Sequence, residues 1–161
     1  GALDDCNKAL EIDPKIAIGY ANRCGVKFNL GDNKGALDDC NKALEIDPKI
    51  AIAYTNRCGA KLKLGNNKGA LDDCNKALEI NPNTAIAYAN RCGAKLNLGN
   101  NKGALNDCNK AIEINPKTAS AYTNRGIVKG IAGNEKGACA DIRMSLSLGT
   151  QIPNDIQKLC L

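Results

Sequence analysis

A nearly identical segment recurs every 34 residues along this chain of 161 residues. The segment GALDDCNKALEIDP begins at Gly1, returns at Gly35, Gly69 and Gly103 with few changes, and appears in a decayed form at Gly137. A period of about 20 to 50 residues is typical of solenoids, in which neighbouring units stack because one unit cannot bury its apolar face alone. The repeat therefore predicts one elongated domain, and it favours binding or scaffolding over catalysis.

Each repeat has the pattern of two helices. Apolar and small residues recur at helical spacing over Ile16–Leu30 and again over Ala36–Leu44. Gly31 supplies a left-handed cap between these two stretches. The pair Asp47-Pro48 ends the second helix, because the residue before a proline is driven out of the α region. Two antiparallel helices per repeat follow, and the predicted fold class is all-α.

Besides its period, the repeat resembles the tetratricopeptide repeat in four features. These are a tyrosine early in the first helix, Leu-Gly in the turn, two alanines in the second helix and a closing proline. The residues are Tyr20, Tyr54, Tyr88 and Tyr122; Leu30-Gly31, Leu64-Gly65 and Leu98-Gly99; Ala36 and Ala43, Ala70 and Ala77, Ala104 and Ala111; and Pro14, Pro48, Pro82 and Pro116. The resemblance implies a right-handed α-solenoid of antiparallel helix pairs whose first helices line a concave groove. It also implies that a protein or peptide segment binds in that groove.

We divide the chain at the proline that closes each repeat. The expected parts are the second helix of a truncated repeat (1–14), three repeats (15–48, 49–82 and 83–116), a degenerate repeat (117–150) and a C-terminal capping helix (151–161). The truncated repeat is expected to leave Leu3 and Leu10 on an open edge, as in a piece of a longer protein. Self-association through this N-terminal edge, as a structural assembly module, is the alternative function.

The chain has nine cysteines and no histidine. Helix wheels place Cys24 level with Cys40, and the same holds for two further pairs, Cys58 with Cys74 and Cys92 with Cys108. Three interpretations stay open: disulfides worth about 3 kcal/mol each, free thiols packed as small hydrophobes, and soft-metal sites. The last is disfavoured because two sulfurs cannot complete a tetrahedral shell. Free thiols indicate a cytoplasmic location, and disulfides a periplasmic or extracellular one. A fourth pair, Cys139 with Cys160, would join the last repeat to the terminal helix.

The first-helix residues that face away from both neighbouring helices are predicted to line the groove. An asparagine recurs there in every repeat, and a row of amides can pair with successive peptide groups of an extended chain. Mid-helix glycines, which cost about 1 kcal/mol each relative to alanine, are interpreted as room for a ligand backbone. In the alternative interpretation the asparagines cap exposed surface and the glycines were copied with the unit. The predicted groove residues are Asn22, Asn56, Asn90 and Asn124; Gly25, Gly59 and Gly93; Ile18, Ile52 and Ile86; and Thr55, Phe28, Leu62 and Lys63.

Some members of the resembled family clamp a C-terminal carboxylate with cationic groove residues. Here Ile18, Ile52 and Ile86 occupy places where such cations would be expected, and Lys63 alone does not make a clamp. This departure from the family's cationic clamp therefore disfavours a chaperone tail as the ligand.

An arginine and an aspartate recur 16 residues apart in four repeats. Helix wheels place both on the same flank of their helix pair, which predicts structural ion pairs rather than ligand-binding arginines. The predicted pairs are Arg23 with Asp39, Arg57 with Asp73, Arg91 with Asp107 and Arg125 with Asp141. Lysines recur at Lys27, Lys61, Lys95 and Lys129, and their stems are expected to lie along the helix interface.

The composition disfavours several function classes. Aromatic residues make up 3% of the chain, too few for the stacking platforms of single-strand nucleic-acid binders. The net charge of +5 is spread around the helices without a basic block. No apolar run approaches the length of about 20 residues that a membrane span needs. Without histidine, clustered carboxylates or a phosphate-binding loop, we expect no enzyme activity, cofactor or metal, and no nucleic-acid or membrane partner.

Overall fold

The computed structural model describes residues 1–152 and 160, and that part of the chain is α-helical without a strand. Its helices are α1 (Ala2–Ile12), α2 (Ala17–Asn29), α3 (Asn33–Ile46), α4 (Ala51–Lys63), α5 (Asn67–Ile80), α6 (Ala85–Asn97), α7 (Asn101–Ile114), α8 (Ala119–Ile131) and α9 (Glu135–Ser147). The predicted all-α class is confirmed. Most of the predicted capping helix (153–159 and 161) lies outside the described residues. None of the described helices combines the length and apolar character that a membrane-spanning helix needs.

The chain divides into two compact units, Gly1–Pro82 and Asn83–Leu161. In the first unit α1 packs on α2, α2 pairs with α3, α3 packs on α4, and α4 pairs with α5. In the second unit α6 pairs with α7, α7 packs on α8, and α8 pairs with α9. Each unit is therefore a stack of helix pairs in which consecutive helices are neighbours, as the repeat predicts.

The turn inside each helix pair is built from a glycine and a capping side chain. Gly31 has a φ of +85°, a region that side chains other than glycine rarely adopt, and the amide of Asp32 donates to the carbonyl of Lys27 at 3.0 Å. Asp32 then caps α3, since its Oδ1 accepts from the amide of Gly35 at 2.9 Å. Asparagines cap the later second helices in the same way, at Asn66, Asn100 and Asn134.

The interior of each unit is made of small side chains. The main clusters are Ala21, Cys24, Ala36, Cys40, Ala43, Ala53 and Ala60 in the first unit, and Ala89, Cys92, Ala104, Cys108, Ala111, Ala121 and Val128 in the second. Among the described residues, the largest fully buried side chains are six cysteines and Ser145. Each buried methylene contributes only about 0.8 kcal/mol, so an interior of alanines gains little from hydrophobic burial.

The structure contains four disulfides among its described residues. Within the helix pairs they join Cys24 to Cys40, Cys58 to Cys74 and Cys92 to Cys108, with S–S distances of 2.03, 2.09 and 2.06 Å. The fourth joins Cys139 to Cys160, and the half-buried Cys6 is free. Of the three open interpretations, the structure therefore contains the disulfides. Within its described residues it holds no group of three side chains that could bind a metal.

One expectation for the N-terminal edge is wrong. Leu10 is only 7% exposed, because α1 packs on α2 and the Leu10 side chain lies over Gly19. Leu3 is half-buried. The apolar edge that motivated self-association is therefore smaller than the sequence pattern indicates.

Candidate protein-binding surface

Within each unit the first helices of successive pairs contact each other. Helix α2 packs against α4 and helix α6 against α8, whereas the described second helices make no comparable contact, neither α3 with α5 nor α7 with α9. Closer spacing of the first helices curves each stack toward them. We call the exposed residues of α2 and α4, and separately those of α6 and α8, the inner face of their unit.

Isoleucines are exposed at the same repeat position in three first helices. Ile18 is 46% exposed, Ile52 47% and Ile86 58%. Each is the second residue of its helix. Single exposed apolar residues are common on protein surfaces, but this repetition places an apolar contact at the same point of every complete repeat. The inner face of the first unit therefore carries Ile18 and Ile52 as exposed apolar side chains.

The recurring asparagines connect successive first helices. Asn56 Nδ2 donates to the carbonyl oxygen of Ala21 at 3.3 Å, and Asn124 Nδ2 donates to that of Ala89 at 3.2 Å. Both asparagines are half-buried, as is Asn90, and Asn22 is exposed. Within the described residues the Oδ1 of Asn56 has no hydrogen-bond donor. Asn56 is therefore an internal donor with an amide oxygen left to accept.

The structure corrects the explanation for Gly25. A Cβ atom on this residue would lie 2.9 Å from Asn56 Nδ2, which is closer than real Cβ contacts allow. The space beside Gly25 is occupied by the amide of the next repeat, and the prediction that a ligand backbone fills it is wrong. Gly93 is half-buried, and Gly59 is buried.

The remaining predicted groove residues differ in exposure. Thr55 is only 4% exposed and its Oγ1 donates to the carbonyl oxygen of Ala51 at 3.0 Å, so its predicted place on the groove surface is wrong. Phe28 packs on the interior cluster of the first unit and is half-buried. Leu62 is half-buried and Lys63 is exposed.

In each helix pair the predicted arginine–aspartate pair is joined by a lysine. The sequence analysis predicted no charged partner for this lysine. Arg23 Nη2 lies 2.6 Å from Asp39 Oδ1, Arg23 Nε donates to Asp39 Oδ2 at 2.8 Å, and Lys27 Nζ lies 2.8 Å from the same Oδ2. Arg23 Nη1 also donates to Asn7 Oδ1 at 3.0 Å, and its Cζ lies 5.4 Å from the centre of the Tyr20 ring. The lysine follows the arginine by four residues, a spacing that places both on one helix face. That spacing was the signal available in the sequence.

This arrangement recurs in every helix pair. The other sets are Arg57, Lys61 and Asp73; Arg91, Lys95 and Asp107; and Arg125, Lys129 and Asp141. Because each aspartate is almost fully buried and already holds two cations, these arginines are fixed within the fold.

In two of the charge sets the pKa of the aspartate is lowered. Burial by itself would raise the pKa of Asp39, but hydrogen bonds from Arg23 and Lys27 outweigh burial and lower this pKa below its ordinary value. The pKa of Asp141 is lowered for the same reasons, with Arg125 and Lys129 as the donors.

These shifts predict a loss of stability in acid. The unfolded chain binds more protons than the folded chain in this window, so the stabilisation is present above the unfolded pKa of about 3.9 and is lost as the pH falls through the lower folded pKa. Urea unfolding between about pH 6 and pH 2 measures the effect. Asp39→Asn should make the dependence shallower, and Asp38→Asn, at an exposed neighbour, should leave it unchanged. Equal slopes for Asp39→Asn and the parent chain would contradict the prediction.

Two models of the tetratricopeptide repeat match the chain, one over residues 51–84 and the other over residues 26–50 and 85–118. Together these segments cover more than half of the sequence. The chain belongs to the tetratricopeptide repeat family. Its repeats support a role as a protein–protein interaction scaffold with protein or peptide partners. In a comparison with curated proteins, none matches the chain.

Solved tetratricopeptide structures share the fold. TTC0263, a thermophilic tetratricopeptide protein in Thermus thermophilus, is 25% identical with a TM-score of 0.72, covering 86% of this chain and 76% of that one. The first tetratricopeptide domain of Spaghetti (RPAP3), solved bound to the HSP90 peptide SRMEEVD, is 25% identical with a TM-score of 0.67, covering 75% and 96%. MamA, at 22% identity and a TM-score of 0.71 over 92% and 86%, is similar in fold alone.

Proposed function

We propose that this tetratricopeptide chain is a scaffold that binds an extended, apolar segment of another protein on the inner face of its units. The exposed isoleucines carry the proposal. In the first unit Ile18 and Ile52 stand at the same position of two adjacent helices and are each about half exposed. Apolar side chains of a partner would cover these isoleucines and remove their surface from water. Full burial of an isoleucine stabilises a complex by roughly 1.5 to 3 kcal/mol.

The asparagines supply the polar part of the same surface. Asn56 follows Ile52 by four residues, so the two lie one turn apart on one helix face. Its Nδ2 is held by the Ala21 carbonyl, and the amide therefore offers its oxygen to a partner. A backbone N–H of an extended segment that passes over Ile52 is a suitable donor to that oxygen. We expect Asn56 to accept from the partner backbone rather than to pair with it in both directions.

The partner is expected to be apolar rather than acidic. The RPAP3 domain was solved with the peptide SRMEEVD, which contains two glutamates and an aspartate. Among the predicted groove residues of this chain, Lys63 is the one side chain with a positive charge, and the exposed large side chains at positions 18, 52 and 86 are isoleucines. An acidic segment would find little to neutralise it on this surface.

The test changes one exposed isoleucine to a charged residue. Peptides selected from a displayed random library against the parent chain are titrated into variants by fluorescence anisotropy. Ile52→Asp should weaken binding by about tenfold or more, because one apolar contact is lost and a charge is placed in the interface. Ile12→Asp is the matched control, since Ile12 is 86% exposed on α1, which is not a first helix. Equal weakening by both variants, or none by Ile52→Asp, would contradict the proposed function.

A further inference from the structure

A cavity of about 320 Å³ lies in the last helix pair, within the second unit. Its walls include Ile127 and Gly130 of α8, Glu135, Cys139 and Ile142 of α9, and Cys160. Both cysteines of the disulfide between Cys139 and Cys160 are among the lining residues. Apart from the Glu135 side chain, these residues line the cavity with aliphatic groups, backbone atoms and sulfur.

The cavity exists because two large side chains of the repeat are missing here. Gly130 stands where the preceding repeats have Phe28, Leu62 and Leu96, and Cys139 stands where they have Leu37, Leu71 and Leu105. In the first unit Phe28 and Leu37 pack on the interior cluster, and in the second unit Leu96 and Leu105 do the same. Among the described residues, a Cβ atom built on Gly130 would meet one atom within 4 Å, the Ala138 Cβ at 3.9 Å. The described part of the chain therefore leaves this position open.

A third departure from the repeat adds charge at the same place. Glu135, which is exposed, stands where the preceding repeats have Asn33, Asn67 and Asn101. Two of the changes that distinguish this helix pair open an apolar space, and the third places a carboxylate on its lining. Such a combination of an apolar pocket with one polar group is typical of binding sites of about this volume.

We propose that this cavity binds a leucine- or phenylalanine-sized side chain of a partner peptide in which a basic residue stands next to it. The size follows from the side chains that the repeat has lost at this point, and the basic neighbour follows from Glu135. The cavity shares Ile127 and Gly130 with the inner face of the second unit. The residues that carry the proposed function, Ile18, Ile52 and Asn56, do not line it, so the two proposals can fail separately.

The probe is the dipeptide N-acetyl-Leu-Lys-amide, titrated into the methyl-labelled chain and followed by NMR. We expect saturable shifts of the methyl groups of Ile127 and Ile142. N-acetyl-Ala-Lys-amide should bind roughly tenfold more weakly, since most of the apolar side chain is absent. N-acetyl-Leu-Glu-amide should bind roughly threefold more weakly, because its charge has the same sign as Glu135. Equal affinity for all three dipeptides, or no shift at Ile142, would overturn the proposal.

Filling the cavity gives an independent test. Gly130→Leu introduces the leucine that the earlier repeats have at the equivalent positions, Leu62 and Leu96. It should fill the cavity, abolish the dipeptide shifts and raise the melting temperature. Gly130→Ala is the matched control, since it removes the helix penalty of glycine but leaves most of the space, and it should keep binding. A lower melting temperature for Gly130→Leu than for Gly130→Ala would show that the chain's own atoms fill the cavity, and would overturn the proposal.

Two further variants separate this site from the rest of the fold. Glu135→Gln, at an exposed position, should keep the leucine affinity and abolish the preference for lysine over glutamate, and a retained preference would contradict the role of Glu135. Ile52→Asp should leave the dipeptide shifts unchanged. Loss of the shifts in Ile52→Asp would mean that the dipeptide binds at the inner face of the first unit instead of in the cavity.

Discussion

Reduction of the disulfides is expected to lower the melting temperature of this chain more than any single substitution does. In the chain-entropy model, each disulfide inside a helix pair is worth about 3 kcal/mol for a loop of about this size, since its cysteines are 16 residues apart. The interior around the disulfides consists mainly of alanines, which supply little hydrophobic stabilisation to replace them. Three such cross-links are a large share of the roughly 5 to 15 kcal/mol that stabilises an ordinary domain.

Calorimetry with and without a phosphine reductant measures the total effect, and a paired substitution isolates one cross-link. Cys58→Ala with Cys74→Ala should lower the free energy of unfolding by about 3 kcal/mol. Cys6→Ala is the matched control, because Cys6 is the free cysteine of the chain. Thiol titration of the denatured, unreduced chain should find a single reactive thiol. Nine reactive thiols, or a melting temperature that the reductant does not change, would contradict the prediction.

The helix pairs were predictable because their signals are local. The period, the glycine of each turn and the proline after each second helix all act within a few residues of where they stand. Helix wheels for the two helices, together with the turn between them, also predicted that Cys24 and Cys40 lie side by side. These inferences need only the geometry of a single helix pair, which near-identical repeats display several times.

The inner face was harder to predict because it depends on how one repeat sits on the next. The contact between Asn56 and Ala21 joins two first helices, and no spacing along either helix shows the distance between them. Gly25 was therefore assigned to a ligand, although the Asn56 amide fills its space. The cavity at Gly130 was not predicted, although the sequence has a glycine there in place of Phe28, Leu62 and Leu96. Whether neighbouring side chains would close that space was a question of packing.

Replacing Asp73 by alanine is expected to destabilise the chain by about 3 kcal/mol, at the low end of the range for breaking a buried ion pair. The Asp73 side chain is 4% exposed and lies 2.7 Å from Arg57 Nη2 and 2.6 Å from Lys61 Nζ. Its removal leaves two cations without their counter-charge. Because the arginine and lysine side chains are 17% and 21% exposed, water can solvate them in part, which keeps the cost from the upper end of the range.

Urea unfolding measures the free energy of unfolding of Asp73→Ala and of Asp72→Ala. Because Asp72 is exposed on the same helix, the difference between the two variants gives the effect of removing a buried carboxylate rather than any carboxylate. Asp72→Ala should change the free energy of unfolding by less than about 0.5 kcal/mol. The triple variant Arg57→Met, Lys61→Met, Asp73→Leu should recover much of the loss, because replacing a whole buried charge set by apolar residues leaves no charge unpaired. Equal losses of unfolding free energy in Asp72→Ala and Asp73→Ala would mean that water fully solvates Arg57 and Lys61 once their carboxylate is removed. The charge sets would then be surface features, and the pH dependence expected from Asp39 would also disappear.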